Sequence, residues 1–205
     1  MVEKRSDALR LIATERPSRE EAEAAVATLI RWAGDDPSRA GLRETPKRVV
    51  DSYRELFAGN FKNPEQDLDA TFPAEAGYDE VVLVKDIRFY SHCEHHITPF
   101  FGKAHIGYIP SDRIVGLSRI VHLVHTYARR LQTQERMTAE IGEMLQTTLK
   151  AQGVAVIIEA EHLCMSMRGI RQPGTETITA HFTGAFRDEP ARQAQFISFT
   201  RRVNP

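Results

Sequence analysis

Cysteine is scarce in this sequence, because the 205 residues include only Cys93 and Cys164. A small secreted protein that depends on disulfide bonds would contain more cysteines, so a disulfide framework is excluded as the basis of the fold. In a reducing compartment, two cysteines that each lie near histidines are better interpreted as metal ligands. The alternative is a pair of unrelated buried thiols, since free cysteine is commonly buried.

Long hydrophobic runs are also missing. No segment approaches the roughly 20 apolar residues that a transmembrane helix requires. The first 19 residues are mostly charged and polar, and they lack the apolar stretch of a signal peptide. We therefore expect a cytoplasmic protein without a membrane partner.

The chain has almost no excess of either charge, because 27 Lys and Arg residues face 28 Asp and Glu residues. Without a global positive field, the chain is not expected to bind nucleic acid. Any anion site must therefore be formed locally. The length fits one ordinary domain with a helical extension.

The chain is predicted to have three parts: a flexible leader over residues 1–17, an N-terminal helical extension over 18–79 and a catalytic domain over 80–205. Ser18 and Glu21 form the spacing of a capping box, which predicts a helix start. Thr45 followed by Pro46 predicts the N-cap and first position of a second helix.

Beyond residue 80, the spacing of the apolar residues is typical of strands in some segments and of helices in others. Alternating or β-branched residues predict strands over 80–90, 104–108, 154–160 and 177–186. Helical spacing predicts helices from Ser118 as N-cap, from about Thr133, and over 190–201. Strand pairs joined by short turns favour antiparallel pairing, so the predicted fold class is α+β.

Chemically reactive side chains are densest in two short segments. Ser91–His96 (SHCEHH) lies between two predicted strands, and Glu161–Cys164 (EHLC) follows the third. Tetrahedral zinc sites use sulfur and nitrogen ligands, and a catalytic site leaves one position for water. Both cysteines and one histidine would supply three ligands, but the spacing does not select among His92, His95, His96 and His162.

Three further features could bind a purine nucleotide. Ser118 and Arg119 stand at a predicted helix start, where backbone N–H groups and the helix dipole favour phosphate; an ordinary N-cap is the alternative. Arg168 adds a cation, although such a residue is most often in a solvated turn. Gln134 and Glu135 begin the next helix, where glutamate also favours the dipole. A carboxylate can accept two parallel hydrogen bonds from guanine, a pair that adenine cannot donate.

Taken in order, these segments resemble the GTP cyclohydrolase I family over roughly residues 20 to 200. Several separated motifs in the same order make a chance agreement implausible. The motifs are Thr45–Val49 (TPKRV), Cys93–His96 (CEHH), Gly102–His105 (GKAH), Tyr108–Pro110 (YIP), Gly116–Arg119 (GLSR), Gln134–Arg136 (QER), His162–Met165 (HLCM) and Met167–Gly169 (MRG).

The resemblance implies a role for each candidate residue. It implies that zinc is bound by Cys93, His96 and Cys164, and that His95 and His162 are an acid–base pair. It implies that Gln134 and Glu135 hold the guanine, with Glu135 as the main anchor. On the triphosphate and ribose side it implies Ser118, Arg119 and Arg168, with Ser118 assisting the sugar rearrangement.

The resemblance also implies a reaction and an assembly. Zinc makes hydroxide available near neutral pH, the guanine ring opens at C8, formate leaves, and the product is 7,8-dihydroneopterin triphosphate, at the first step of tetrahydrofolate and pterin biosynthesis. The implied architecture is the tunnelling fold, in which two helices lie between antiparallel strand pairs. Its subunits form a ring, typically a homodecamer, with active sites between subunits.

Two residues depart from the family pattern. Arg119 stands where many relatives have lysine, which keeps the charge but changes the geometry. His122 stands where relatives commonly carry arginine, and this removes a permanent positive charge from the expected phosphate pocket. Two alternatives stay open: a related zinc hydrolase acting on another purine nucleotide or stopping at an early hydrolysis product, and a non-enzymatic zinc-stabilised interaction protein with a fourth protein ligand.

Overall fold

A computed structural model describes residues 16–75 and 78–201. The chain divides into two compact units, Met1–Phe61 and Lys62–Pro205. This division comes ahead of residue 80, where the sequence analysis starts the catalytic domain, and the assignment of that domain stays a prediction. The predicted leader lies almost entirely outside the described residues.

The first unit contains helices α1 (Arg19–Trp32) and α2 (Thr45–Leu56), followed by a 3-10 turn at Ala58–Phe61. The predicted capping box is confirmed: the Ser18 hydroxyl accepts from the Glu21 N–H at 3.1 Å, and the Glu21 carboxylate accepts from the Ser18 N–H at 2.7 Å. These bonds satisfy backbone donors that the helix itself leaves unpaired.

The N-cap predicted for the second helix was wrong by one residue. Glu44 is the N-cap and makes no side-chain cap bond, while Thr45 is already helical. The Thr45 N–H is used by the preceding turn, because it donates to the Leu42 carbonyl at 2.9 Å. The chain therefore passes from a turn directly into α2.

The second unit is built on a five-stranded sheet. Its strands are β2 (Val82–Cys93), β3 (Pro99–Ile109), β5 (Leu131–Gln132), β6 (Gly153–His162) and β7 (Glu176–Phe182), in the spatial order β5-β2-β3-β6-β7. All neighbours are antiparallel except β5, which runs parallel to the end of β2. A separate antiparallel pair joins β1 (Thr71–Pro73) to β4 (Arg113–Val115). The α+β prediction is confirmed.

Helices cover the sheet on both faces. The long ones are α3 (Leu117–Ala128) and α4 (Gln134–Leu149), and the shorter ones are α5 (Leu163–Ser166), α6 (Ala185–Asp188) and α7 (Pro190–Thr200), with a 3-10 turn at Pro64–Leu68. Across residues 16–75 and 78–201, none of the helices has the length and apolar character needed to cross a membrane.

The main core lies between the sheet and helices α3 and α4. Alternate residues of β3 point into it, so Ala104, Ile106 and Tyr108 are fully buried, together with Leu123 and Ile141 from the two helices. A smaller cluster on the opposite face is formed by Ile109, Ala155, Ile157, Phe186 and Phe196. Each large apolar side chain buried in this way contributes about 1.5–3 kcal/mol.

Strands β3 and β6 extend beyond their predicted ranges at both ends, and the C-terminal ends of β2 and β7 also differ from the predictions. Strand β2 continues to Cys93, because backbone pairing with β3 and β5 extends past the last aromatic residue of the pattern, Tyr90. Strand β7 ends at Phe182, and Phe186 lies in α6. The break occurs at Gly184, whose φ of 47° is one that favours glycine and whose added Cβ would lie 2.1 Å from the Gln152 carbonyl oxygen.

One histidine is buried away from the candidate site. His105 on β3 is 2% exposed, and its Nδ1 accepts a hydrogen bond from the Asp86 N–H at 3.2 Å. Its Nε2 lies 4.0 Å from a carboxylate oxygen of Glu159. Burial lowers the pKa of His105, although the nearby Glu159 and Asp86 carboxylates oppose this effect.

Neutral burial of His105 should make the fold sensitive to acid. The imidazole in the unfolded chain has a pKa of about 6.5, whereas its pKa in the native state is lower. The unfolded state therefore binds the proton more readily, and the free energy of unfolding falls as the pH drops from about 6.5. In urea titrations after metal removal, His105→Asn should show a smaller pH dependence between pH 7.5 and 5.5 than the parent, while the exposed His122→Asn should match the parent. Identical pH dependence in His105→Asn and the parent would contradict the assignment.

Candidate metal and catalytic site

Sheet topology brings the two cysteine-containing segments together. Strands β2 and β6 both pair antiparallel with β3, so they run in the same direction and end at the same edge of the sheet. Phe100 on β3 lies opposite Ser91 on one side and His162 on the other. Cys93 at the end of β2 and Cys164 just after β6 therefore approach each other.

Three potential metal ligands meet at this edge. One ligand atom from each of Cys93, His96 and Cys164 lies within 4.8 Å of the others. The Cys93 Sγ lies 3.9 Å from the His96 Nδ1. Cys93 is buried, Cys164 is half-buried and His96 is exposed, so the group is open to solvent on one side.

A tight turn aims the histidine at the cysteine. The Ile97 N–H donates to the Cys93 carbonyl at 2.8 Å, and the Cys93 N–H donates to the Thr98 carbonyl at 2.9 Å. These bonds fold His95 and His96 back over Cys93. The His95 Nδ1 lies 3.7 Å from the Cys93 Sγ.

The chemistry of the donor set fits a zinc ion. Two sulfurs and one imidazole nitrogen are ligands that zinc prefers, and three protein ligands with an open side are typical of catalytic rather than structural sites. Burial raises the pKa of the Cys164 thiol, and the adjacent Cys93 adds to this effect. A metal cation bound between the two sulfurs would offset this effect and favour the thiolate form that ligates metal.

His162 is held in one orientation beside the metal-ligand group. Its ring stacks on Phe100, with centroids 4.6 Å apart and planes at 3°. Its Nε2 lies 2.8 Å from the Gln134 Oε1, which is an acceptor, so Nε2 carries the proton and Nδ1 of the neutral ring can accept one. Burial lowers the pKa of His162, while Glu135 opposes that shift, and a neutral ring at pH 7 follows.

The side chain of Gln134 is directed into the protein. It is 1% exposed, and its amide nitrogen donates to the carbonyls of Ile158 and Thr177 at 3.0 and 2.9 Å and lies 3.2 Å from the Thr179 hydroxyl. Together with the bond to His162, these contacts occupy the amide. The neighbouring Glu135 is exposed in the first turn of α4.

The residues expected near phosphate lie in α3 and in the segment after α5, and not in the turn that contains Cys93 and His96. Gly116 is the N-cap of α3, so the N-cap prediction for Ser118 was wrong: Ser118 is the second helical residue, and the Arg119 N–H donates to the Gly116 carbonyl at 2.9 Å. Arg119 lies 3.5 Å from the Asp69 carboxylate. Arg168 is exposed in the segment after α5. Within residues 16–75 and 78–201, no hydrogen bond or ion pair joins Ser118 or Arg119 to Cys93, His96 or Cys164.

Sequence reasoning missed one charged pair. Arg136, for which the sequence predicts no role, donates to the Glu94 carboxylate at 2.6 Å. Glu94 belongs to the CEHH motif and Arg136 to the QER motif, so the only available signal was a pair of opposite charges in two motifs. Their proximity depends on the placement of β5 beside β2.

Comparison of the sequence with known proteins gives a result that agrees with this geometry. The model of the GTP cyclohydrolase I family matches residues 22–201. The chain belongs to the GTP cyclohydrolase I family. The GTP cyclohydrolase 1 of Sinorhizobium fredii is 56% identical over 186 residues, covering 91% of each chain. The GTP cyclohydrolase 1 of Brucella canis is also 56% identical over 186 residues, covering 91% of this chain and 87% of the relative.

One solved structure shows a weaker likeness. The archaeosine synthase QueF-Like in the apo form aligns with a TM-score of 0.43 and 18% identity, over 51% of this chain and 93% of that chain. A similarity of this size supports no inference, whereas the family model and the relatives cover most of the chain.

Loss of one sulfur ligand should release the metal. Cys164→Ala leaves only Cys93 and His96 of the three ligands, so purified protein should lose most of its bound metal. Elemental analysis per chain is the measurement, and Met167→Ala, which removes an exposed side chain beyond α5, is the matched control. Full metal occupancy in Cys164→Ala would show that Cys164 is not a ligand.

Proposed function

We propose that this chain is a zinc-dependent GTP cyclohydrolase I, which converts GTP and water to 7,8-dihydroneopterin triphosphate and formate. The observation that carries the proposal is the placement of two cysteines and a histidine beside His162 and Glu135, in a chain 56% identical to proteins named GTP cyclohydrolase 1. The reaction is the first step of tetrahydrofolate and pterin biosynthesis. Both cysteines are free thiols, which supports action in the reducing cytoplasm.

The zinc ligands in this proposal are Cys93, His96 and Cys164. Their sulfur and nitrogen donors fit zinc, and their exposed side leaves room for water. Bound zinc would lower the pKa of water to about 7 and so supply hydroxide for attack on C8 of the guanine.

Glu135 is proposed to select guanine. Its carboxylate lies in the first turn of α4, exposed, and close enough to His162 to affect the pKa of that ring. A carboxylate can accept from both the ring N–H and the exocyclic amine of guanine. Gln134 belongs to the same guanine-holding pair, and its side-chain contacts support an indirect contribution, through the orientation of His162.

His162 and His95 are proposed to move protons during opening of the imidazole ring. The neutral His162 ring keeps its proton on Nε2, facing Gln134, so Nδ1 is the atom that accepts a proton. His95 is exposed next to Cys93 and can exchange protons with solvent. An imidazole can both donate and accept a proton, which suits the two steps of ring opening.

The triphosphate and ribose are assigned to Ser118, Arg119 and Arg168. Arg119 and Arg168 would supply permanent positive charge, and Ser118 is proposed to assist the sugar rearrangement. His122 is exposed on α3 one turn after Ser118, where it offers no permanent charge. Among the described residues, no hydrogen bond or ion pair joins Ser118 or Arg119 to Cys93, His96 or Cys164, and we propose that subunits complete each other's sites in a tunnelling-fold ring, a homodecamer.

Incubation with GTP tests the function directly. Zinc-loaded protein should release formate and, after oxidation, a fluorescent pterin in equal amounts. Formate without pterin would indicate a hydrolase that stops early, and neither product would indicate a zinc-stabilised binding protein.

His95→Ala and His162→Ala should retain zinc but lose turnover by a factor on the order of 10² or more, as expected for a general acid or base. Near-normal turnover in either variant would remove that residue from the proton-transfer role.

Guanine selection should depend on the carboxylate of Glu135. The parent should bind GTP and reject ATP, because a site built on hydrogen bonds to particular donors rejects analogues that lack them by up to ~10⁴. Glu135→Ala should bind GTP poorly in equilibrium titrations, whereas Glu143→Ala, an exposed glutamate of the same helix, should bind like the parent. Comparable binding of ATP and GTP by the parent would contradict this role.

A further inference from the structure

The turn that carries the metal ligands is connected to the start of α4 by one guanidinium group. Glu94 follows Cys93 directly and precedes His95. Its carboxylate accepts a hydrogen bond from the Arg136 Nη2 at 2.6 Å. Arg136 also donates from Nη2 to the Leu131 carbonyl at 2.9 Å and from Nε to the Gln132 Oε1 at 3.0 Å. Three acceptors on two segments therefore fix the guanidinium in position.

The other two acceptors belong to β5, which is itself attached to the ligand strand. Gln132 is paired with Cys93 in the parallel register, and its carbonyl accepts from the Glu94 N–H at 3.0 Å. Gln132 is 1% exposed, and its amide nitrogen donates to the Tyr127 carbonyl at 3.2 Å and the Glu140 carboxylate at 3.1 Å. Through Gln132, the Arg136 contacts are thus connected to the interior.

An ordinary surface ion pair would not have this arrangement. The side chains of Arg136 and Glu94 are 46% and 32% exposed, so their mutual attraction is screened and contributes little to overall stability. The effect of the pair is therefore local. The pair connects Glu94, which follows Cys93, with Arg136, which follows Glu135.

We propose that Arg136 and Glu94 are positioning residues, which hold the Cys93–His96 turn against the first turn of α4. They set the geometry of the metal ligands relative to the carboxylate of Glu135. The identity of the metal and of the substrate in this inference rests on the proposed function, but the connection between the two segments does not.

Metal release measures this role without any turnover. The variants are Glu94→Gln, which removes one charge and keeps the shape, and Arg136→Met, which keeps an unbranched apolar stem and removes all three donated bonds. The matched control is Arg192→Met, because Arg192 pairs with Glu189 at 2.8 Å and is similarly exposed. Each protein is loaded with Zn²⁺ and mixed with a chromophoric chelator, and the rate of zinc transfer is recorded.

We expect zinc to leave both site variants about 10- to 100-fold faster than it leaves the parent, which is the usual effect of removing a group that orients metal ligands. The control should release zinc at the parental rate. The double variant should release zinc no faster than Arg136→Met alone, since both changes break the same connection. Cobalt-loaded Arg136→Met should also show an altered ligand-field spectrum.

The expected kinetic signature is a lower kcat for GTP, with a smaller change in KM than Glu135→Ala produces. Zinc release within twofold of the parent in both variants, or independent effects that multiply in the double variant, would overturn the proposal. Urea midpoints near that of the parent would show that Glu94→Gln is folded. Failure of the proposed function would appear separately, as a parent protein that binds zinc normally but does not turn over GTP.

Discussion

The pairing of β3 with both β2 and β6 is the constraint on which the site depends. Because β3 runs antiparallel to each neighbour, β2 and β6 run in the same direction and end together. The pairing is close at Gly102, where an added Cβ would lie 1.8 Å from the Glu159 carbonyl oxygen. A displaced register would separate Cys93 and His96 from Cys164, and the ligand group would lose one of its two sulfurs.

Burial divides the residues around this edge into two chemical groups. Gln134 is buried and His162 is half-buried, and the two satisfy each other, so the ring has a defined tautomer and a lowered pKa. Glu135, His95 and His96 are exposed and remain available to a ligand or to solvent protons. An unpartnered buried amide or imidazole would be costly, and this is why the internal contacts of Gln134 run to backbone carbonyls as well as to His162.

The first turn of α4 contains members of both the buried group and the exposed group. It carries Gln134, which orients His162, Glu135, which faces outward, and Arg136, which contacts Glu94 beside the ligands. Three consecutive residues on a helix point in different directions, because each is rotated by about 100° from the last. One motif can therefore provide an interior contact, an outward-facing carboxylate and a contact with the turn that carries Cys93 and His96.

The sequence by itself determined the chemistry: two cysteines near histidines indicate a metal, and the ordered motifs indicate the family. It also determined the α+β class and the capping box at Ser18, because strand and helix periods and capping are local properties. Only the tertiary structure decided that Gln134 faces inward and that Arg136 reaches Glu94, and it brings together Cys93, His96 and Cys164, the ligand set that the family resemblance implied. These outcomes depend on which strands become neighbours, and sheet neighbours are selected by packing between residues that are far apart in the chain.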